Sequence, residues 1–171
     1  MNKQMQELAL ALTLGRISKE EFLKQFPEVR DPASAFLPKQ LETALKERDS
    51  DAVEHLMLLG FQFGFGAECA EVLCELILQD WHMQHENIAM VLQNLRLPGT
   101  VDCLYRAALV EFPYLDYDES YALGVKCLYA LQAIGSDDAK AKLGLIAGGD
   151  NPVLAENAQR LLRSLETGGQ D

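Results

Sequence analysis

From position 49 onward, apolar residues recur at helical spacing, and polar, glycine or proline breaks interrupt them at regular intervals. The pattern predicts helices over 50–62, 67–79, 83–95, 99–111, 119–134, 137–147 and 152–166. The breaks are Gly64 and Gly66, Asp80, Pro98-Gly99, Pro113, Gly135, Gly148-Gly149 and Asn151-Pro152. The last of these joins an Asn cap to a proline suited to the first helical position. Leucine pairs repeat inside the pattern. Leu56/Leu59, Leu92/Leu95, Leu128/Leu131 and Leu162/Leu165 follow one another at offsets of 36, 36 and 34 residues. Between successive pairs lies a second helix with its own stripe: Leu73 with Leu76, Leu104 with Ala107, and Leu143 with Ile146. A helix pair with this period cannot bury its apolar face alone, so neighbours must stack on it. The expectation is an all-α chain, a short α-solenoid of stacked antiparallel helix pairs.

Residues 1–48 do not follow the period. They predict a helix over about 3–14 that stops at Gly15, then a capping box of Ser18 and Glu21 with Ile17 and Phe22 as its apolar staple. A loop with two prolines, "VRDPASAFLP", leads to a helix "PKQLETALKERD" that Pro38 opens. We therefore expect one domain: an N-terminal helical cap (1–48), helical repeats (49–166) and a disordered tail (167–171). No stretch alternates long enough for a strand. "FQFGFGAE" alternates briefly from Phe61 but is broken by glycines, which predicts a wide turn packed by aromatics.

Composition narrows the function classes. With 171 residues and 49% apolar content, the chain can build a core and is not disordered throughout. Its net charge of −11 argues against binding nucleic acid, where phosphates must be neutralised by Lys and Arg, and against docking on an anionic membrane. Between Gly66 and Glu119 ten acids face only Arg96 and Arg106, a local charge of −8. Such a surface suits a basic protein partner. Cys69, Cys74, Cys103 and Cys127 form no CxxC and fall at apolar helical positions, so they are expected as buried free thiols in a reducing cytoplasm. The N-terminal apolar run is interrupted by Glu7 and is a poor signal peptide, and no segment has the roughly 18 apolar residues of a spanning helix.

The segment "DWHMQHE" (80–86) holds two of the chain's three histidines and its only tryptophan. Its order, HxxHE, is not the HExxH of a zinc protease, and a catalytic zinc needs three protein ligands that nothing here fixes. No metal and no cofactor is expected. The cysteines sit on apolar stripes that disfavour a thiolate, and "GFQFGFG" lacks the Lys and Ser/Thr of a phosphate loop, so no catalysis is expected either. Both histidines are expected at a polar joint between helices. The corresponding joint one repeat later is "YLDYDESY" (114–121), and in a stacked solenoid the two joints lie on one edge. Together they supply a candidate partner-binding rim: Asp80, Trp81, His82, His85, Glu86, Tyr114, Asp116, Tyr117, Asp118 and Glu119. Aromatic groups provide contact area at low entropy cost, and the acids steer a basic partner. The acidic face of Glu68, Glu71 and Glu75 is the alternative.

The segment "CLYALQAIGSDDAKAKLGLIAGGDNPVLAENAQRLL" resembles HEAT repeats: a helix ending Ala-Leu-x-x-Ile-Gly, an acidic turn, and a shorter apolar helix. The likeness extends over about 49–165. Through "GRISKEEFLKQF", "DWHMQHENIA" and "LDYDESYALGVKC" the chain also resembles small acidic bacterial HEAT-like proteins, the immunity proteins of polymorphic-toxin systems. That resemblance implies a cytoplasmic protein, monomeric when free, that binds and blocks a cognate toxin with a basic surface. A general HEAT-type adaptor is the alternative. A metal-dependent or lyase-type enzyme on the same scaffold is the remote one.

Overall fold

A computed structural model describes residues 1–115 and 120–167, and over them every regular element is a helix, as the periodicity predicts. The chain divides into two units, Met1–Gln84 and His85–Asp171. The division falls after residue 84 rather than after 48, so the first predicted helix pair groups with the N-terminal segment.

In the first unit, α1 (Lys3–Thr13) starts on Asn2, whose side chain accepts from the Met5 N–H. It stops at Gly15, which takes φ +67°, a conformation that costs glycine nothing. Gly15 N–H then bonds the Leu12 carbonyl and Arg16 N–H the Ala11 carbonyl, the paired closure of a Schellman motif. The Ser18/Glu21 capping box forms as expected and opens α2 (Lys19–Gln25). A 3-10 turn follows at Pro27–Arg30. Met5, Ala9 and Leu12 of α1 bury against Phe22, Phe26, Val29 and Leu59, with Ile17 and Phe63 packed on the cluster. Phe22 is the pivot: its ring centroid lies 5.3 Å from Phe26 and 5.6 Å from Phe63. α3 (Phe36–Glu47) begins two residues before the expected proline, and Pro38 is buried in its first turn. It packs on α4 (Ser50–Phe63) and α5 (Ala70–Leu76). Of the "FQFGFG" stretch, expected as a wide turn, Phe61–Phe63 belong to α4 and only the part from Gly64 onward turns. Phe65 folds back onto α4, where a Cβ at Gly60 would collide with its ring at 2.0 Å, and meets Phe61 edge-on.

The second unit contains α6 (His85–Leu95), α7 (Val101–Ala108), α8 (Ala122–Ile134), α9 (Asp137–Ala147) and α10 (Pro152–Thr167). α8 packs on α6, α7, α9 and α10, while α7 also packs on α9 and α9 on α10. Cys127, Leu128, Ala130 and Leu131 of this central helix are fully buried. Each buried leucine of that kind contributes about 1.5–3 kcal/mol relative to exposure. Gly124 lets α8 approach closely: a Cβ there would stand 2.7 Å from Leu154 and 2.9 Å from the Ala108 carbonyl. Ser136 caps α9, and Asn151 caps α10 through the Val153 and Leu154 N–H groups, with Pro152 at the first position as expected.

Leu56, Leu59, Leu92, Leu128 and Leu131 are buried as the repeat requires, while Leu95 is only half-buried. The fourth pair departs from it. In α10 the buried stripe is Leu154, Ala158 and Leu161, and Leu162 and Leu165 are only half-buried. Cys69 and Cys127 are buried free thiols, and burial pushes Cys69 up to about 11. Cys74 and Cys103 depart from the expectation of four free thiols, since both are disulfide-bonded. The case for a reducing compartment loses those two residues. Among the described residues no helix is long and apolar enough to cross a membrane.

Candidate functional site

The predicted rim resolves into two local structures. The first follows α5. The last carbonyls of a helix have no partner within it, and here the Leu76 carbonyl accepts from the Gln79 N–H at 2.9 Å and from His82 Nε2 at 2.9 Å. His82 Nδ1 in turn accepts from the Gln84 N–H at 3.1 Å. A carbonyl can only accept and an amide can only donate, so the two bonds fix a neutral ring with its proton on Nε2. His82 is 3% exposed, and burial lowers its pKa against the opposing Leu76 hydrogen bond. Trp81 stands edge-on to this ring, centroids 5.0 Å apart, and its indole N–H donates to Gln79 at 3.2 Å. It is half-buried. Asp80 is exposed and paired with Arg48 at 3.3 Å.

The second structure opens α6. His85 is fully buried, and its ring lies 3.8 Å from that of Phe112. Nδ1 and the Tyr114 hydroxyl are hydrogen-bonded at 2.6 Å. Burial pushes the Tyr114 hydroxyl up to about 12; the His85 bond opposes this and the nearby Glu86 charge adds to it. Glu86 reaches Lys126 of α8 at 3.0 Å.

The candidate residues therefore fall into three groups. Asp116, Tyr117, Asp118 and Glu119 lie outside the described residues. His82 and His85 are interior groups, not members of an exposed rim, because each ring satisfies polar atoms that the fold has taken out of water. Asp80, Trp81, Glu86 and Tyr114 keep some exposure, but both carboxylates are already ion-paired. Among the described residues, His85 of the first joint meets Tyr114 of the second through a part-buried hydrogen bond. Among the described residues, no three His, Cys, Asp or Glu side chains gather as a metal-ligand set.

Two other features offer free chemistry. Glu68, Glu71 and Glu75 follow i, i+3, i+7 spacing along the 3-10 turn Ala67–Cys69 and α5. All are exposed, and none forms an ion pair among the described residues. The second is a cavity of about 160 Å³ where α7 ends and α8 and α10 begin. Nothing in the periodicity anticipates it. Helix 99–111 was expected to run through Leu109 and Val110, but α7 ends at Ala108 and leaves both exposed. No protein-family model, no curated protein and no solved structure matches the chain.

Proposed function

We propose that this chain is a non-catalytic protein-binding module that neutralises a basic protein partner, most plainly a toxin that its own cell must withstand. The observation that carries this reading is the stripe of exposed carboxylates Glu68, Glu71 and Glu75, which form no ion pair among the described residues, in a chain of net charge −11. Three carboxylates on one helical face repel one another by a few tenths of a kcal/mol per pair, a cost that a cationic partner reverses. The resemblance to acidic HEAT-like immunity proteins supplies the toxin as the class of partner. The packing of α8 on both α6 and α10, and of α7 on α9, supports a HEAT-like stacking of helix pairs in the second unit.

The binding surface is assigned first to the α5 stripe. Asp80 is already paired with Arg48, and of the buried histidines His82 holds backbone groups while His85 packs against Phe112 and Tyr114. The test is complex formation with the product of the neighbouring gene at low and high salt. Salt-sensitive association is expected, slowed about tenfold or more by Glu71→Lys with Glu75→Lys, with little change in dissociation. Association that ignores both salt and these reversals removes the acidic-surface reading.

A further inference from the structure

The cavity beside α7 lies wholly within the second unit. Its inner wall is apolar: Ala108, Phe112, Leu123 and Leu154 are all 5% exposed or less. Leu109 and Val110 stand at its mouth, 54% and 40% exposed. Apolar side chains this exposed beside an apolar hollow extend it outward as a lip. Tyr121, also in the lining, holds φ +52°, a left-handed conformation unfavourable for an aromatic residue. It caps α8 with no side-chain hydrogen bond to the helix, so capping does not account for that conformation. Strain of this kind concentrates at ligand clamps.

Size decides the class of occupant. Cofactors and metabolites take pockets of about 300–1,000 Å³, whereas a cavity near 150 Å³ holds one benzene-sized group. At about 160 Å³ this one matches a single ring or branched aliphatic side chain. Charge decides its neighbours. Glu111 lines the cavity, is exposed, and forms no ion pair among the described residues.

We propose that this cavity is an anchor site for one phenylalanine- or leucine-sized side chain of a partner protein, flanked in that partner by lysine or arginine. The inference rests on the partner-binding reading above and adds where the apolar contact is made. Buried anchors of this kind carry a large share of interface energy, while surrounding charges set the encounter rate.

The test uses the full chain, ¹⁵N-labelled, titrated with acetyl-Lys-Phe-Lys-amide. Acetyl-Lys-Ala-Lys-amide and acetyl-Glu-Phe-Glu-amide are the comparison probes. Saturable shifts are expected at the amides of Leu109, Val110, Phe112 and Leu123, with dissociation on the order of millimolar for so small a ligand. The alanine peptide should bind about tenfold more weakly or worse, the price of losing the ring. Ala122→Phe, at a half-buried position in the lining, should fill the cavity and abolish these shifts. Should that variant unfold, Glu111→Lys at the exposed lip serves instead: it should weaken the Lys-flanked peptide and strengthen the Glu-flanked one. Equal shifts from the alanine and phenylalanine peptides overturn the proposal, as do shifts confined to α5 or no shifts at all. These outcomes leave the acidic-surface reading standing, because the peptides do not depend on the α5 stripe. Peptide binding without any salt-sensitive complex removes that reading instead.

Discussion

His82 and His85 stand three residues apart, yet they do different work. His82 closes backbone. Its two nitrogens join the Leu76 carbonyl and the Gln84 amide, both within six residues of it. His85 packs side chains. Its partners, Phe112 and Tyr114, come from beyond α7, and Tyr114 is 29 residues away. Two histidines on one short segment look like the start of a metal site. Here the partners shown for each are different: backbone groups for His82, and Phe112 with Tyr114 for His85. What a histidine does is set by the donors and acceptors the fold leaves unsatisfied beside it.

The largest effect that tests this contrast is His85→Ala. It deletes a fully buried ring, leaves a void against Phe112 and removes the partner of the Tyr114 hydroxyl. A loss of about 3 kcal/mol is expected from the cavity and the orphaned hydroxyl together. The shift of the urea midpoint followed by circular dichroism measures it. A loss below about 1 kcal/mol would mean that the cluster is not a packing centre.

His82→Gln comes next, at about 2 kcal/mol, because one buried backbone partner is left unmatched. Trp81, edge-on to the ring, makes fluorescence a local reporter of this change. The contrast sharpens with pH. His82 has a folded-state pKa below the ordinary 6.5. Above about pH 6.5 the ring is neutral in both states and its bonds contribute fully. As pH falls through that value toward the folded pKa, the unfolded chain takes up a proton that the folded chain refuses, and stability is lost. Protonation in the fold would set a new N–H on Nδ1 against the Gln84 N–H. The gap between wild type and His82→Gln should therefore narrow from neutral pH toward about pH 5. A gap independent of pH would mean that His82 is charged in the fold or does not titrate in this range.

Tyr114→Phe is the milder test of the second cluster. It keeps the ring and removes only the hydroxyl bonded to His85, so about 1 kcal/mol is expected. An effect as large as that of His85→Ala would place the stability in the hydrogen bond rather than in the stacked rings.

The same contrast explains what the sequence could reveal. Local chemistry was legible. The Ser18/Glu21 capping box, the Gly15 stop, the Asn151-Pro152 start and the limits of α9 all depend on residues within one turn of each other. The helical class followed from periodicity in the same way. Contacts from distant chain were not legible. Nothing near His85 announces Phe112 or Tyr114, so a polar-looking joint hides a buried ring. Helix ends near the cavity were misjudged for a related reason. Leu109 and Val110 continue an apolar pattern that the backbone abandons after Ala108, and Tyr121 fits a helix start but takes a left-handed turn instead. Composition could not separate Cys74 and Cys103 from Cys69 and Cys127, since all four occupy apolar stripes. The α5 stripe was visible as spacing, but that it lacks counter-charges among the described residues, while Asp80, Glu86 and Asp102 have them, emerges only from the fold.

The smallest effect asks whether the His82 joint depends on the ion pair beside it. Arg48 follows α3 at φ +52° and reaches Asp80 at 3.3 Å. Arg96 follows α6 at the same φ but forms no ion pair among the described residues. Replacing either with glycine relieves a left-handed conformation worth about 1 kcal/mol. Arg48→Gly also gives up an exposed pair worth roughly 0–1 kcal/mol. Arg96→Gly should therefore stabilise by up to about 1 kcal/mol, and Arg48→Gly by a few tenths. The difference between the two thermal midpoints estimates the Arg48–Asp80 pair. If Arg48→Gly instead destabilises and changes Trp81 fluorescence, the ion pair, and not His82 alone, holds the end of α5. In that case the exposed charges around Asp80 belong to the scaffold rather than to a binding surface.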